Sequence, residues 1–107
     1  TYGGKRYLNE RTVRLFTSQQ IGTRGLGFEV VSRSGESRAG NMAPRGTYGH
    51  TGFTGTCIWV DPESDLIYIF LSYRVLYIPR GNRGSAFYKY RIRERNHDII
   101  YLSMKHE

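Results

Sequence analysis

Residues 48–71 read YGHTGFTGTCIWVDPESDLIYIFL, and the expected fold is built around them. It holds two segments rich in β-branched and aromatic residues, 54–60 and 65–72, which is the composition of β-strands. Between them lies Asp61-Pro62-Glu63-Ser64, in which proline suits the second position of a tight turn. The stretch therefore predicts an antiparallel hairpin. Trp59 lies inside the first strand and is expected to be a core residue.

The second strand of the hairpin is apolar on both of its faces from Leu66 to Leu71. A strand that does not alternate is normally buried on both sides. A C-terminal helix, predicted from about Phe87 to Met104, can cover one face of a three-stranded sheet. The apolar stripe expected to do so consists of Ile92, Ile99, Ile100 and Met104, with Asn96 interrupting it and Lys105 and His106 at its end.

Upstream of the hairpin, Asn9 and Glu10 predict the start of a short helix that ends near Thr17, with Asn9 as the N-cap. Its apolar face would be formed by Leu8, Val13, Leu15 and Phe16. Residues 25–31 alternate well enough to be a strand, and residues 37–47 predict a loop. This helix is too short to cover the other face of the sheet. Residues 1–107 are therefore expected to be part of a larger, layered α/β/α domain.

Composition limits the remaining classes of protein. The 107 residues are enough for one domain at most, and the longest apolar run has six residues, far short of the roughly 20 that a membrane helix needs. No signal peptide is visible, and the first residue is Thr1, which suggests a partial chain. The single cysteine, Cys57, excludes an intrachain disulfide and is expected to be a buried apolar residue.

The net charge of +7 is concentrated between Arg74 and Arg95, where seven basic residues accompany one acid, Glu94. Such a stripe can bind nucleic acid, but no RNA-binding signature or helix-turn-helix pattern accompanies it. We interpret it as the solvated face of a loop and a helix, so that no nucleic-acid partner is expected. A basic nucleic-acid-binding protein remains an alternative.

The sequence contains no complete catalytic set: it lacks G-x-S-x-G, S-x-x-K, H-E-x-x-H and G-x-x-x-x-G-K-[ST]. Gly49, Gly52 and Gly55 lack the Lys-Ser/Thr ending of a phosphate loop. His50, the histidine among them, could be a structural residue at a strand edge or part of a site. The three histidines have no clustered carboxylates, so no metal site is predicted.

Four segments, in order along the chain, together resemble the C-terminal part of serine beta-lactamase-related proteins, which include class C beta-lactamases, D,D-peptidases and esterases of the same fold. They are GGKRYLNERTVRLFTSQQ (3–20), GLGFEV (25–30), YGHTGFTGTCIWVDPESDLIYIFLSYRV (48–75) and RIRERNHDIIYLSM (91–104). His50-Thr51-Gly52 resembles the K-T-G or H-T-G triplet of that superfamily. The fold that this implies is α+β: the C-terminal part of a beta-lactamase/transpeptidase-like α/β/α sandwich, with an antiparallel sheet and a packed C-terminal helix.

The resemblance also implies roles for individual residues. His50 would be a hydrogen-bonding and cationic group near the substrate, and Thr51 would hold a substrate carboxylate or carbonyl. Gly52 would allow close backbone approach. The backbone N–H of Phe53 would be one of two oxyanion-hole donors, a contribution of ~3 kcal/mol in acyl transfer. The nucleophile and base of the family, the Ser and Lys of S-x-x-K, are absent here, and Tyr7-Leu8-Asn9 matches the family's Y-x-N only by coincidence.

We therefore expect a C-terminal fragment of a hydrolase that acts on an ester, amide or β-lactam through an acyl-serine intermediate, and that is inactive on its own. Its partner would be a small-molecule or peptidoglycan-like substrate, bound together with the N-terminal part of the domain. No cofactor is implied, and the family suggests a bacterial, periplasmic or exported protein. The alternative is a non-catalytic binding or regulatory module of the same fold. Tyr73, at a position where relatives usually read L-S-N-R, and the basic loop after it depart from the family pattern.

Overall fold

The computed structural model describes residues 1–32, 37–73 and 91–105. In chain order, the described elements are α1 (Glu10–Thr17), β1 (Glu29–Val30), β2 (Tyr48–Thr51), β3 (Cys57–Asp61), β4 (Leu66–Phe70) and α2 (Ile92–Met104). The strands form one sheet in the order β1-β2-β3-β4, and every neighbouring pair is antiparallel. The predicted α+β class and antiparallel sheet are confirmed. The sheet has four strands where we predicted three, because β2 forms at the H-T-G triplet.

The predicted hairpin is confirmed as β3 and β4, which pair from Cys57↔Phe70 to Asp61↔Leu66. Asp61 closes the turn, since its Oδ1 accepts the backbone N–H groups of Glu63 at 2.9 Å and Ser64 at 3.2 Å. β3 begins three residues later than predicted. The reason is a turn in which the Gly52 N–H donates to the Thr56 carbonyl at 2.8 Å and Gly55 has a φ of 90°.

The strand predicted over residues 25–31 is reduced to the two residues of β1. Gly27 has a φ of 87°, and the Gly25 N–H donates to the Phe28 carbonyl at 2.9 Å. These features make residues 25–28 a tight turn, because a φ near +90° is compatible with glycine but not with an extended strand. β1 consequently reaches only Tyr48 and Gly49 of β2.

Helix α1 begins as predicted: Oδ1 of Asn9 accepts the Arg11 N–H at 2.8 Å. Asn9 is thus the helix cap, as we inferred when we set aside its match to Y-x-N. No residue of α1 is buried. The apolar side chains of its face, with that of Leu8, are between 40% and 63% exposed. The helix therefore offers an uncovered apolar face.

Helix α2 packs on one face of the sheet, and the predicted apolar stripe is wrong. Its buried residues are Arg93, His97 and Tyr101, whereas Ile99 is 59% and Met104 38% exposed. Only Ile100, of the predicted four, is partly buried against the core. Asn96 lies on the exposed surface, where its Nδ2 donates to the Ile92 carbonyl at 2.8 Å, so it does not interrupt the packed face.

Polar contacts explain why α2 presents this face. Arg93 is linked to the sheet at both ends: its Nη1 donates to the Thr56 carbonyl at 3.2 Å, and its backbone carbonyl accepts the Tyr68 hydroxyl at 3.0 Å. His97 stacks on the Tyr68 ring, with centroids 4.5 Å apart. Burying a polar group without a partner costs free energy, so these bonds favour this face of the helix. The predicted start of the helix, residues 87–90, and His106 lie outside the described residues.

The core lies between α2 and one face of the sheet, and the other face is open. Trp59 is 1% exposed and Cys57 4%, which confirms both as core residues. On the opposite face, Ile67 and Ile69 of β4 are 63% and 58% exposed, and Ile58 of β3 is 41% exposed. This is the uncovered apolar surface that we predicted from the sequence of β4. Among the described residues, neither helix has the length and apolar character needed to cross a bilayer.

Candidate functional site

The H-T-G triplet lies at the end of β2, beyond the reach of β1. His50 pairs with Ile58 of β3, and Thr51 pairs with Cys57, while β1 pairs only with Tyr48 and Gly49. Directly paired residues of antiparallel strands point to the same face. His50 therefore lies on the open apolar face with Ile58, and Thr51 lies on the face that carries α2.

The imidazole of His50 makes two hydrogen bonds. Its Nε2 is 3.2 Å from Nη1 of Arg24, and its Nδ1 is 2.6 Å from the carbonyl oxygen of Thr51. Both the imidazole and the guanidinium are exposed. The histidine is therefore held between its own strand and the segment that precedes β1.

Thr51 has an arginine neighbour of its own. Nη1 of Arg38 donates to the Thr51 hydroxyl at 3.0 Å, and the backbone N–H of Arg38 donates to Oε1 of the buried Glu29 at 3.2 Å. The carboxylate of Glu29 thus anchors Arg38 beside β1. The guanidinium of Arg24 beside His50 and that of Arg38 beside Thr51 give the triplet a positive local charge.

Three glycines shape the backbone around the triplet, each for a different reason. A Cβ on Gly49 would collide with the backbone carbonyl of Ile58, so only glycine allows β2 and β3 to pair here. A Cβ on Gly52 would collide with the Thr56 hydroxyl. Gly55 has a positive φ. The regular spacing that suggested a phosphate loop in fact reflects a strand contact followed by a tight turn.

Phe53 lies in this turn, directly after the triplet. Its side chain is 77% exposed, so it is no part of the described core. The structure thus brings His50, Thr51, Gly52 and Phe53 together at one end of the sheet. Sequence reasoning missed Arg24 and Arg38. No local signal marks them, because they lie 26 and 13 residues before their partners.

The buried ionisable groups whose pKa is shifted lie elsewhere, between α2 and the sheet. Burial lowers the pKa of His97, against the opposing effect of the Asp98 and Asp61 carboxylates. Burial also raises the pKa of Tyr68 to about 12. Nδ1 of His97 accepts the Gly40 N–H at 3.1 Å. His97 of α2 and Tyr68 of β4 therefore hold the helix on the sheet, since their rings stack on each other.

The two remaining side-chain predictions concern Cys57 and the basic stripe. Burial raises the pKa of the Cys57 thiol, as expected of a core residue rather than a reactive thiol. The interpretation of residues 74–95 as a solvated face is wrong for Arg93, which is 4% exposed. Residues 74–90 lie outside the described part of the chain. Within residues 1–32, 37–73 and 91–105, no group of three His, Cys, Asp or Glu side chains could hold a metal ion.

Comparison with known proteins agrees with this architecture. The beta-lactamase family matches residues 5–88, so the match includes α1, the whole sheet and the H-T-G triplet, while α2 lies beyond it. A protein of Escherichia coli K12 with the name "Putative D-alanyl-D-alanine carboxypeptidase" is 38% identical over 74 residues, which are 66% of this chain and 17% of the relative. A protein of the same name from Salmonella gallinarum is 37% identical over 76 residues, 68% of this chain and 18% of the relative.

This chain therefore spans less than a fifth of the length of the curated relatives that it matches. No solved structure gives a significant match. The family match covers more than half of the chain, and it includes two of the four segments on which the resemblance depends in full and residues 5–20 of a third. The chain belongs to the beta-lactamase family.

Proposed function

We propose that residues 1–107 supply one wall of the active site of a serine hydrolase that cleaves an ester, amide or β-lactam through an acyl-serine intermediate. The observation that carries this proposal is the position of the H-T-G triplet. It lies at the end of β2, past the last residue that β1 pairs, with two guanidinium groups beside it. A strand end that pairs with β3 on one side but not with β1 on the other, and that has donors beside it, is a suitable surface for an extended, polar substrate.

In this proposal the chain is the C-terminal part of an α/β/α domain. The open face of the sheet supports it, because Ile58, Ile67 and Ile69 are exposed there and would be covered by a further layer. The apolar face of α1 is uncovered in the same way. The short span of the chain on its relatives is consistent with a longer protein.

Each residue of the triplet has a distinct role in the proposal. His50 lies beside the catalytic residues of the remainder of the domain, with its imidazole held between Arg24 and the Thr51 carbonyl. The Thr51 hydroxyl binds a carboxylate or carbonyl of the substrate, and Gly52 lets the substrate approach the backbone. The N–H of Phe53 stabilises the oxyanion of the tetrahedral intermediate. The nucleophile and base would come from the remainder of the domain, since S-x-x-K is absent from residues 1–107.

The relatives' name suggests the class of substrate: a peptide that ends in D-alanyl-D-alanine. We propose the same small, polar class for the longer protein, in a periplasmic or exported location. The chain alone would show no turnover of a chromogenic ester or cephalosporin. Turnover by the 107 residues that is blocked by a serine-acylating agent would contradict this.

The decisive experiment uses the whole coding region. The sequence upstream of Thr1 should encode an S-x-x-K and then a Y-x-N, and the purified product should be labelled covalently by a fluorescent penicillin. Thr51→Val should reduce the rate of labelling by about tenfold or more, because one hydrogen bond to a charged group contributes about 1.5–3 kcal/mol. Thr12→Val, on the exposed surface of α1, is the matched control and should leave the rate unchanged.

The second candidate function is a non-catalytic binding or regulatory module of the same fold. In this alternative the longer protein also lacks a working S-x-x-K, and the triplet with its two arginine neighbours would bind a ligand without cleaving it. It predicts that the coding region upstream also lacks this motif, and that the product binds the penicillin reversibly or not at all. A basic nucleic-acid-binding function has less support, because Arg93 of the basic stripe lies on the buried face of α2. It would require DNA retention that falls steeply with salt.

A further inference from the structure

The two nitrogens of the His50 imidazole contact the guanidinium of Arg24 and the backbone carbonyl of Thr51. A guanidinium group can only donate hydrogen bonds, and a backbone carbonyl can only accept them. Nε2 of His50, 3.2 Å from Arg24, must therefore be the unprotonated nitrogen. Nδ1, 2.6 Å from the Thr51 carbonyl, must carry the proton. The two contacts together define one neutral tautomer of the imidazole, with hydrogen on Nδ1.

We propose that Arg24 is a positioning residue, which holds His50 as the neutral Nδ1–H tautomer and itself carries the positive charge at the triplet. This proposal deepens the proposed function, on which its catalytic meaning rests. It changes the role that the resemblance implies for His50. Both nitrogens of His50 are used within the chain, so the imidazole is not the cation that meets the substrate.

The backbone around Arg24 is well placed for this role. Its N–H donates to the Ile21 carbonyl at 2.9 Å, and its carbonyl accepts the N–H groups of Gln20 at 2.8 Å and Ile21 at 3.1 Å. The neighbouring Thr23 carbonyl accepts the N–H of Val30 in β1 at 2.7 Å. The guanidinium therefore projects from a segment that is fixed to the sheet. One of its five N–H donors faces His50, and within residues 1–32, 37–73 and 91–105 the guanidinium makes no other hydrogen bond.

Arg38 has the corresponding effect on Thr51. Its Nη1 donates to the Thr51 oxygen, which occupies a lone pair and leaves the hydroxyl hydrogen to be donated elsewhere. The two arginines thus give the triplet a defined polarity. His50 has no N–H left to donate, Thr51 presents an O–H, and the positive charge lies on the guanidinium groups. On the face of the sheet that carries α2, the Thr51 O–H and the Arg38 guanidinium together suit a substrate carboxylate or carbonyl oxygen.

The tautomer can be measured directly on the 107-residue chain. With ¹⁵N-labelled histidine, two-bond ¹H–¹⁵N spectra at pH 8 should show a protonated-type shift at Nδ1 of His50 and an unprotonated-type shift at Nε2. Arg24→Met removes the donor and should move both shifts toward each other, as the ring samples both tautomers. Arg24→Lys restores a charged donor and should restore the wild-type pattern at least in part. Arg11→Met, an exposed arginine on α1, is the matched control.

Two results would overturn the proposal: an Nε2–H signature in the wild-type chain, or shifts of His50 that Arg24→Met leaves unchanged. Circular dichroism reports whether each variant is folded. The measurement needs no turnover, so this inference can fail while the proposed function holds. Conversely, the absence of S-x-x-K upstream would remove the proposed function and leave the tautomer result intact.

Discussion

The Tyr101 hydroxyl donates a 2.7 Å hydrogen bond to Oδ2 of Asp61, across 40 residues of sequence. Asp61 is 1% exposed, and its other carboxylate oxygen accepts the two backbone N–H groups of the turn between β3 and β4. One side chain thus closes the hairpin and fixes α2 on the sheet. This contact joins two segments on which the candidate site depends, because β3 supports the whole length of β2.

Tyr101→Phe should lower the free energy of unfolding by about 2 kcal/mol. The substitution removes a hydrogen bond to a buried carboxylate, so that Oδ2 of Asp61 no longer accepts a bond from this hydroxyl. Urea denaturation followed by circular dichroism measures the change. Tyr2→Phe, at a side chain that is 82% exposed, is the matched control and should have no effect. Equal stability of the two variants would mean that the bond does not hold the helix.

Gly49→Ala should be strongly destabilising, by about 3 kcal/mol, because the added methyl group meets the Ile58 carbonyl and lies 2.9 Å from the Trp59 ring. The backbone cannot yield there without separating β2 from β3. Thermal unfolding measures the loss. Gly3→Asn serves as the control, since Gly3 has open space around its Cβ position and asparagine tolerates its φ of 58°. A wild-type melting temperature for Gly49→Ala would show that the strands pair differently.

These contacts also show which features of the fold could be predicted from the sequence. The cap at Asn9 and the turn at Asp61 depend on neighbours within three residues, so local chemistry was sufficient to predict them. The open face followed from the composition of β4 alone. The shortness of β1 was not predicted. A turn at Gly27 ends the possible strand, and an alternating sequence pattern does not reveal the positive φ of that glycine.

The buried face of α2 could not be predicted in this way. An apolar stripe is a sound expectation when burial is driven by area alone. Here the face is selected by partners far along the chain: Gly40, 57 residues before His97, and Thr56, 37 residues before Arg93. The same holds at the candidate site. The H-T-G triplet was found from the sequence, but its arginine neighbours depend on how the segment before β1 returns to β2.

Cys57 should not react with thiol reagents while the chain is folded. It is 4% exposed, and burial raises the pKa of its thiol, so that little of the reactive thiolate is present near neutral pH. Mixing with an aromatic disulfide reagent should release chromophore slowly in buffer and at once in guanidinium chloride. Fast labelling in buffer would contradict the packing of β3 against α2. Tyr101→Phe, which loosens this packing, should accelerate the reaction.

Acidification should destabilise the chain through His97, which is 1% exposed and stacked on Tyr68. Burial lowers its pKa from the ordinary value of 6.5, and the nearby Asp98 and Asp61 carboxylates offset only part of this effect. Below about pH 6.5 the unfolded chain therefore takes up a proton that the folded chain does not. The contribution of His97 to stability is complete above that pH and is lost progressively as the pH falls.

His97→Asn tests this prediction, because the amide oxygen can still accept the Gly40 N–H but does not titrate. The variant should be less stable than the wild type at pH 7.5, since it fills less of the space beside Tyr68. Between pH 6.5 and 5, however, its free energy of unfolding should fall less steeply with decreasing pH than that of the wild type. The two slopes should differ by no more than the contribution of one bound proton. Urea denaturation at several pH values measures both slopes. Parallel curves for the two proteins would show that His97 is not the group that makes the fold sensitive to acid.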